Sequence, residues 1–380
     1  MSGAPQHTRQ PNRLASEQER LRDRIREEIG QARLDAAFDL AEQLLDLKPD
    51  AASYEFLLFP IERSVGGSDS ARLYNLLRAL ETDTSSHHLA WRTLLRFALL
   101  ERLEWHEEAC TLTAQFKRLP ERYGWMRYNR ATVLMNRHWA YDEAWEDIEA
   151  TRRAAPDYWQ AAGTLAECAL CQGREAQAFA VMHDCIAQLR AAGRSDEADI
   201  ATAWRAELQL WVGQYAEALA GLSTAAAADR PYALCWHGAA HLMLGDAERA
   251  LASLDKAATL TPRDFEVYVW RGETYERLGK WDQAIADFDR AAKMTGMPVW
   301  PLVGRGLARA RTGDAAGVIA DFKALPRRIS TFFQWKAQTH VESDPVKAVD
   351  VLQHMRRAAR GLRRTERYLE PVWMKRTEPR

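Results

Sequence analysis

The sequence is poor in cysteine and contains no long hydrophobic stretch. Five cysteines in 380 residues give no disulfide framework. No segment approaches the roughly 18 consecutive apolar residues of a membrane-spanning helix, and the opening MSGAPQHTRQPNRLASEQ lacks the apolar core of a secretion signal. We therefore expect a cytoplasmic protein with no membrane contact, and the excess of Arg over Lys together with abundant Ala favours a bacterial source.

An excess of charge of one sign is absent too, since the formal net charge is -1 and the pI is about 6.8. Phosphate-binding loops, GxSxG and HExxH are also missing. Cys168, Cys171, His183 and Cys185 have a spacing like that of zinc ligands. However, His183 and Cys185 would lie about 200° apart around a helix and would not converge on one ion. The sequence therefore predicts no catalytic site, no metal site and no cofactor.

The middle of the chain contains an internal repeat of about 34 residues. Its two copies align Gly238 with Gly272 and Gly245 with Gly279. Gly245 and Gly279 stand where a turn between two helices needs a positive φ. A stripe of small and large residues at i, i+4 and i+7 follows each turn and predicts a second helix that packs closely on the first. The members of this stripe are Ala250, Leu254 and Ala257 in one copy and Ala284, Phe288 and Ala291 in the other.

This pattern resembles the tetratricopeptide repeat, an antiparallel helix pair that stacks on further copies. The resemblance implies an all-α fold, a right-handed superhelical solenoid of about nine to ten antiparallel helix pairs. A chain of this length without a Pro/Gly/Ser-rich linker fits a solenoid, because each repeat packs only on its neighbours. The register extends to repeats at 18–51, 52–89, 90–124, 125–158, 159–198, 199–230, 231–264, 265–298, 299–332 and 333–360.

Three segments depart from the repeat pattern. Residues 1–17 are polar and are predicted to be disordered, whereas residues 361–380 are predicted to form a basic capping helix and tail. Within the repeat 52–89, Pro60 and Gly66–Gly67 interrupt the helical pattern. They predict a kinked or shortened helix there.

Tryptophan recurs at one place in three successive repeats, at Trp204, Trp236 and Trp270. In folds of the tetratricopeptide kind the first helix of each pair lines a concave groove. We therefore expect a ladder of indoles with rungs about 8 to 10 Å apart. The opposing interpretation is that the indoles fill gaps between adjacent first helices, and the sequence leaves both open. The candidate groove residues are Trp204, Glu207, Trp211, Tyr232, Trp236, Trp270, Glu273 and Trp300.

The expected ladder predicts the character of a ligand. Three residues of an extended or polyproline peptide, at about 3.1 to 3.4 Å each, match one rung. Glutamates beside the indoles favour Arg or Lys on the ligand, with cation–π support, and a Pro-rich segment also fits. We therefore expect a protein or peptide partner that is extended and either basic or Pro-rich. The same glutamates argue against nucleic acid.

A second polar patch is expected on the groove side of the earlier repeats, or alternatively as a solvated face. Its residues are Arg102, Asn129, Arg130, Asn136 and Arg137. Together these features favour a non-catalytic protein–protein interaction scaffold or adaptor that binds an extended peptide or a partner protein in the concave groove. Two alternatives stay open. One is an accessory or regulatory subunit of a bacterial enzyme or secretion complex, and the other is a carbohydrate or polymer binder that uses the tryptophan ladder.

Overall fold

A computed structural model describes residues 9–58, 70–82, 88–103, 105–135, 140–295 and 299–324. Throughout these ranges the regular elements are helices, and no strand occurs in them. The all-α prediction is therefore confirmed. No described helix is both long enough and apolar enough to cross a membrane. The chain divides into two compact parts, residues 1–165 and 166–380.

The N-terminal part consists of helices of uneven length. Two short 3-10 segments, Ala114–Arg118 and Glu121–Met126, stand where the chain turns between two of them. Helices that follow one another in sequence pack together in most of this part. The α-helices are α1 (Arg9–Gly30), α2 (Leu34–Leu47), α3 (Ala51–Leu58), α4 (Ser70–Thr82), α5 (Leu89–Arg102), α6 (His106–Thr113), α7 (Arg127–Val133), α8 (Tyr141–Ala154) and α9 (Gln160–Cys171), the last of which contains the division between the parts.

Helix α1 begins at Arg9, inside the segment 1–17 that the sequence predicts to be disordered. Proline is tolerated in a first helical turn, so Pro11 does not prevent this start. The residues that follow are rich in Arg, Leu, Ala, Glu and Gln, which have high helix propensity. The predictions made for Pro60, Gly66–Gly67, 333–360 and 361–380 concern residues outside the described ranges.

The C-terminal part is more regular, because short turns join helices of similar length. Consecutive helices pack on each other, and α11, α13, α15 and α17 also contact one another in sequence order. These four first helices therefore lie side by side. The helices are α10 (Glu175–Ala191), α11 (Ser195–Trp211), α12 (Tyr215–Ala227), α13 (Pro231–Met243), α14 (Ala247–Leu260), α15 (Phe265–Arg277), α16 (Trp281–Met294), α17 (Val299–Thr312) and α18 (Ala315–Ala324).

Glycines shape the central helix pairs in the two ways that the sequence predicts. Gly245 and Gly279 adopt φ angles of +88° and +69° in the turns α13–α14 and α15–α16, which confirms them as turn residues. Gly272 lies on α15 against the ring of Phe288, and a Cβ added there would stand 2.9 Å from that ring. Gly272 therefore lets the two helices of the pair approach closely.

A charged clasp joins each of the first helices α15 and α17 to two second helices. The Arg271 guanidinium on α15 donates to Asp287 on α16 at 2.7 and 2.9 Å and to Asp255 on α14 at 3.0 Å. The hydrogen bonds that Arg271 donates to Asp287, together with the charge of that carboxylate, raise the pKa of Arg271 despite its burial. One repeat later, the same clasp is made by Arg305, Asp321 and Asp289. Each clasp thus ties a helix pair to the pair before it.

Candidate functional site

Four tryptophans from first helices form a single cluster in the C-terminal part. Their ring centroids lie 5.2 to 6.3 Å apart, and Trp211 contacts each of the other three. Trp211 ends α11, whereas Trp300 begins α17, so the cluster spans four neighbouring first helices. The members are Trp211, Trp236, Trp270 and Trp300. The inner side of these helices is therefore filled by indoles at this level.

The expected spacing and exposure of the ladder are wrong for these residues. The centroids of Trp236 and Trp270 are 6.3 Å apart rather than about 8 to 10 Å. Only 7% of Trp236 and 1% of Trp270 is exposed. Burying a large indole away from water stabilises the fold. The side of the first helices that carries the four tryptophans is curved enough for their rings to meet. The structure therefore agrees with the gap-filling interpretation at Trp211, Trp236, Trp270 and Trp300.

The glutamates predicted to face a basic ligand accept hydrogen bonds from indole N–H groups. Trp300 Nε1 donates to Glu273 Oε1 at 2.6 Å, and Trp211 Nε1 donates to Glu207 Oε1 at 3.3 Å. A third glutamate, Glu167, accepts a hydrogen bond from Trp204 Nε1 at 2.9 Å. A buried indole N–H needs an acceptor, and a carboxylate meets that need without a ligand. These glutamates therefore serve the packing of the tryptophans.

Several residues of α11 and α13 remain partly open to solvent, and we call Asp199, Ile200, Trp204 and Tyr232 the aromatic edge. Ile200 is 38% exposed, and the other three residues are half-buried. Burial and the nearby Asp199 carboxylate raise the pKa of Tyr232. The Tyr232 hydroxyl has no hydrogen-bond partner among the described residues. The edge thus combines two ring surfaces, an aliphatic side chain and a carboxylate.

The second polar patch does not form as expected. Asn129 and Arg130 are only 4% and 7% exposed, so their expected place on a groove or a solvated face is wrong. Arg130 donates to Asp147 and, at 2.6 Å, to Glu143, both on α8. A buried guanidinium requires a countercharge, and the neighbouring helix supplies it. Arg130 therefore joins α7 to α8 rather than facing a ligand.

The rest of the patch is divided between exposed and undescribed residues. Arg102 is exposed in the last turn of α5, whereas Asn136 and Arg137 lie outside the described residues. Cys168, Cys171 and Cys185 are buried. No group of three potential metal ligands occurs within the described ranges.

Comparisons with known proteins agree with this helical architecture. Residues 265–295 match the family model of the tetratricopeptide repeat, whereas no curated protein matches the sequence significantly. A solved Rap protein, complexed with competence and sporulation factor, is 16% identical with a TM-score of 0.50, and the alignment covers 83% of this chain and 96% of that one. A tetratricopeptide repeat protein from Parabacteroides merdae ATCC 43184 is 15% identical with a TM-score of 0.39, covering 80% of this chain and 99% of that one. The chain is therefore a helical-repeat protein that carries a tetratricopeptide repeat at residues 265–295, as predicted, and no particular member of that family is indicated.

Proposed function

We propose that the protein is a non-catalytic scaffold that binds a partner protein through the aromatic edge. Stacked helix pairs support this role, because they present side chains of successive first helices on one continuous surface. The observation that carries the proposal is a contrast between successive first helices. Trp236 and Trp270 are buried in the tryptophan cluster, whereas Trp204, at the equivalent position of α11, keeps accessible surface, as does Tyr232 near Asp199.

The chemistry of the edge fits an extended segment that carries Arg or Lys, or that is rich in Pro. A cation placed over the ring of Trp204 or Tyr232 gains about 0.5 to 1 kcal/mol at an exposed site. The Asp199 carboxylate adds attraction for the same cation. Neighbouring first helices lie about 8 to 10 Å apart, which three residues of an extended chain can span. One segment can therefore contact α11 and α13 together.

Peptide binding tests the proposed chemistry. Fluorescently labelled repeats of Pro-Arg and Pro-Glu would be titrated with the wild type and with Trp204→Ala, and anisotropy would be measured. We expect Pro-Arg to bind more tightly, and Trp204→Ala to weaken it several-fold because the ring surface is lost. Trp105→Ala is the matched control, since Trp105 is also a partly exposed tryptophan. Equal binding of both peptides, or an equal loss in the Trp105 variant, would contradict the proposal.

Site-specific photo-crosslinking tests the location with a natural partner. A benzophenone amino acid would replace Ile200 on the aromatic edge or, as a control, Leu260 at the end of α14. Both are exposed apolar residues, so neither replacement disturbs the core. We expect adducts with a protein of the source cell from the Ile200 position only. Adducts of the same kind from both positions would place the interaction elsewhere.

A further inference from the structure

The repeat that contains α11 and α12 has the arginine of the clasp but not its carboxylate. Aligned by repeats, Arg205 stands where the next helix pairs have His237, Arg271 and Arg305. Arg271 reaches Asp287, which is 16 residues later in the chain. The residue at that spacing after Arg205 is Gly221, which has no side chain to offer.

The geometry around Arg205 matches this comparison. Its Nη2 atom lies 3.5 Å from the position that a Cβ on Gly221 would occupy, so the guanidinium does face α12 at the clasp position. Arg205 makes no hydrogen bond or ion pair with any described residue, and its Nε atom is buried without an acceptor. Burial and repulsion from Arg190 lower the pKa of Arg205. In the next clasp, by contrast, the pKa of Arg271 is raised.

An arginine in this position can bind an anion supplied by another molecule. A guanidinium carries five donors in a fixed fork that suits a carboxylate, and a partly buried one without a countercharge is costly. Arg190, exposed on α10, adds a second positive charge close by. The space over Gly221 is where the carboxylate of Asp287 stands in the clasp of α15 and α16.

We propose that Arg205 and Arg190 bind a carboxylate side chain of a partner protein, which takes the place that Asp287 fills in the later clasp. This proposed carboxylate-binding site lies between α11 and the second helices α10 and α12. It is therefore separate from the aromatic edge and extends the proposed function rather than resting on it. The partner is expected to present Asp or Glu in an exposed segment.

Substitution at Gly221 gives a direct test, because the chain itself can supply the missing group. The added Cβ of Gly221→Asp meets only ordinary contacts, at 3.5 Å from Arg205 and 3.9 Å from Thr202. We expect its carboxylate to pair with Arg205 and to exclude an external one. Gly221→Asn has nearly the same shape without the charge and is the matched control. Arg205→Gln removes the guanidinium that is proposed to bind the carboxylate.

The probe is a labelled hexaglutamate peptide, with hexalysine as its counterpart, and fluorescence anisotropy gives the affinities at low salt. We expect wild type and Gly221→Asn to bind hexaglutamate alike, and both Gly221→Asp and Arg205→Gln to bind it about tenfold more weakly. Equal affinity in all four proteins would overturn the proposal. Urea unfolding provides a second readout, because Gly221→Asp should unfold at higher urea than Gly221→Asn. An unfolding midpoint no higher than that of Gly221→Asn would refute the assigned geometry.

Discussion

The contact between Trp211 and Trp300 predicts an energetic coupling that a strictly linear stack would lack. Their ring centroids lie 6.0 Å apart in an edge-to-face arrangement, although α13 and α15 stand between their helices in the sequence. In a solenoid whose repeats contact only their neighbours, residues this far apart along the stack contribute independently. We therefore expect a double-mutant cycle of Trp211→Leu and Trp300→Leu to give a coupling of about 0.5 to 1.5 kcal/mol.

The single substitutions set the scale of this experiment. Each removes a buried indole that leucine only partly replaces, so each should lower the free energy of unfolding by about 2 to 4 kcal/mol. Trp300→Leu also leaves the buried Glu273 carboxylate without its indole N–H donor, which adds about 1 to 3 kcal/mol. That extra cost occurs with and without Trp211, and it therefore cancels in the cycle.

Urea unfolding followed by far-ultraviolet circular dichroism measures the four free energies, provided that the m-values agree between variants. A parallel cycle of Trp300→Leu with Leu260→Ala is the control, because Leu260 is exposed on α14 and lies outside the cluster. We expect that control to be additive within about 0.3 to 0.5 kcal/mol. A coupling between Trp211 and Trp300 no larger than that of the control would refute a stabilising contact between these two tryptophans.

Three further predictions concern buried charges. His237→Arg with Ser253→Asp should install the Arg–Asp clasp one repeat earlier and raise the urea midpoint above that of either single variant, because these positions correspond to Arg271 and Asp287 of the next pair. Burial lowers the pKa of His237 and of His241, so the unfolded state binds protons first, and thermal scans should show stability falling as pH drops below about 6.5. Asp147→Ala should cost about 3 kcal/mol in urea unfolding, because it removes the fully buried carboxylate shared by Arg127 and Arg130 and leaves Arg130 only the more exposed Glu143.

The helix pairs could be predicted because their signals are local. Gly245 and Gly279 identify turns through a backbone angle that few other residues accept. Gly272 opposite Phe288 identifies a close approach through size alone. The family match at 265–295 falls on the pair where these signals are complete. Such features require only neighbours along the chain, so a single sequence contains them.

Whether the tryptophans of the first helices are exposed or buried could not be predicted in the same way. Repeat alignment correctly places Trp236 and Trp270 on equivalent positions of first helices, but it does not say how strongly the stack curves. Curvature depends on packing angles summed over several pairs, and it decides whether equivalent side chains stand apart or meet. Here they meet, so a position that reads as a ligand contact in the sequence is part of the core.

Arg130 was misplaced for a different reason, although its sequence contains a usable signal. Its partner Asp147 follows at a separation of 17 residues, close to the 16 that separate Arg271 from Asp287. An arginine on a first helix with an aspartate at that distance therefore predicts a clasp within a helix pair. An arginine without that aspartate predicts a charge left for another partner.

This rule explains why the repeat with α11 and α12 is the most informative one for function. In the repeat of α15 and α16, Arg271 is paired with its aspartates and Trp270 packs against other indoles. In the repeat of α11 and α12, by contrast, Trp204 remains partly exposed to solvent, and Arg205 pairs with no carboxylate among the described residues. Trp204 and Arg205 are adjacent residues about 100° apart around the helix, so they serve different surfaces. Sites of function are expected where a repeat departs from its own pattern without an internal gain, and α11 departs twice.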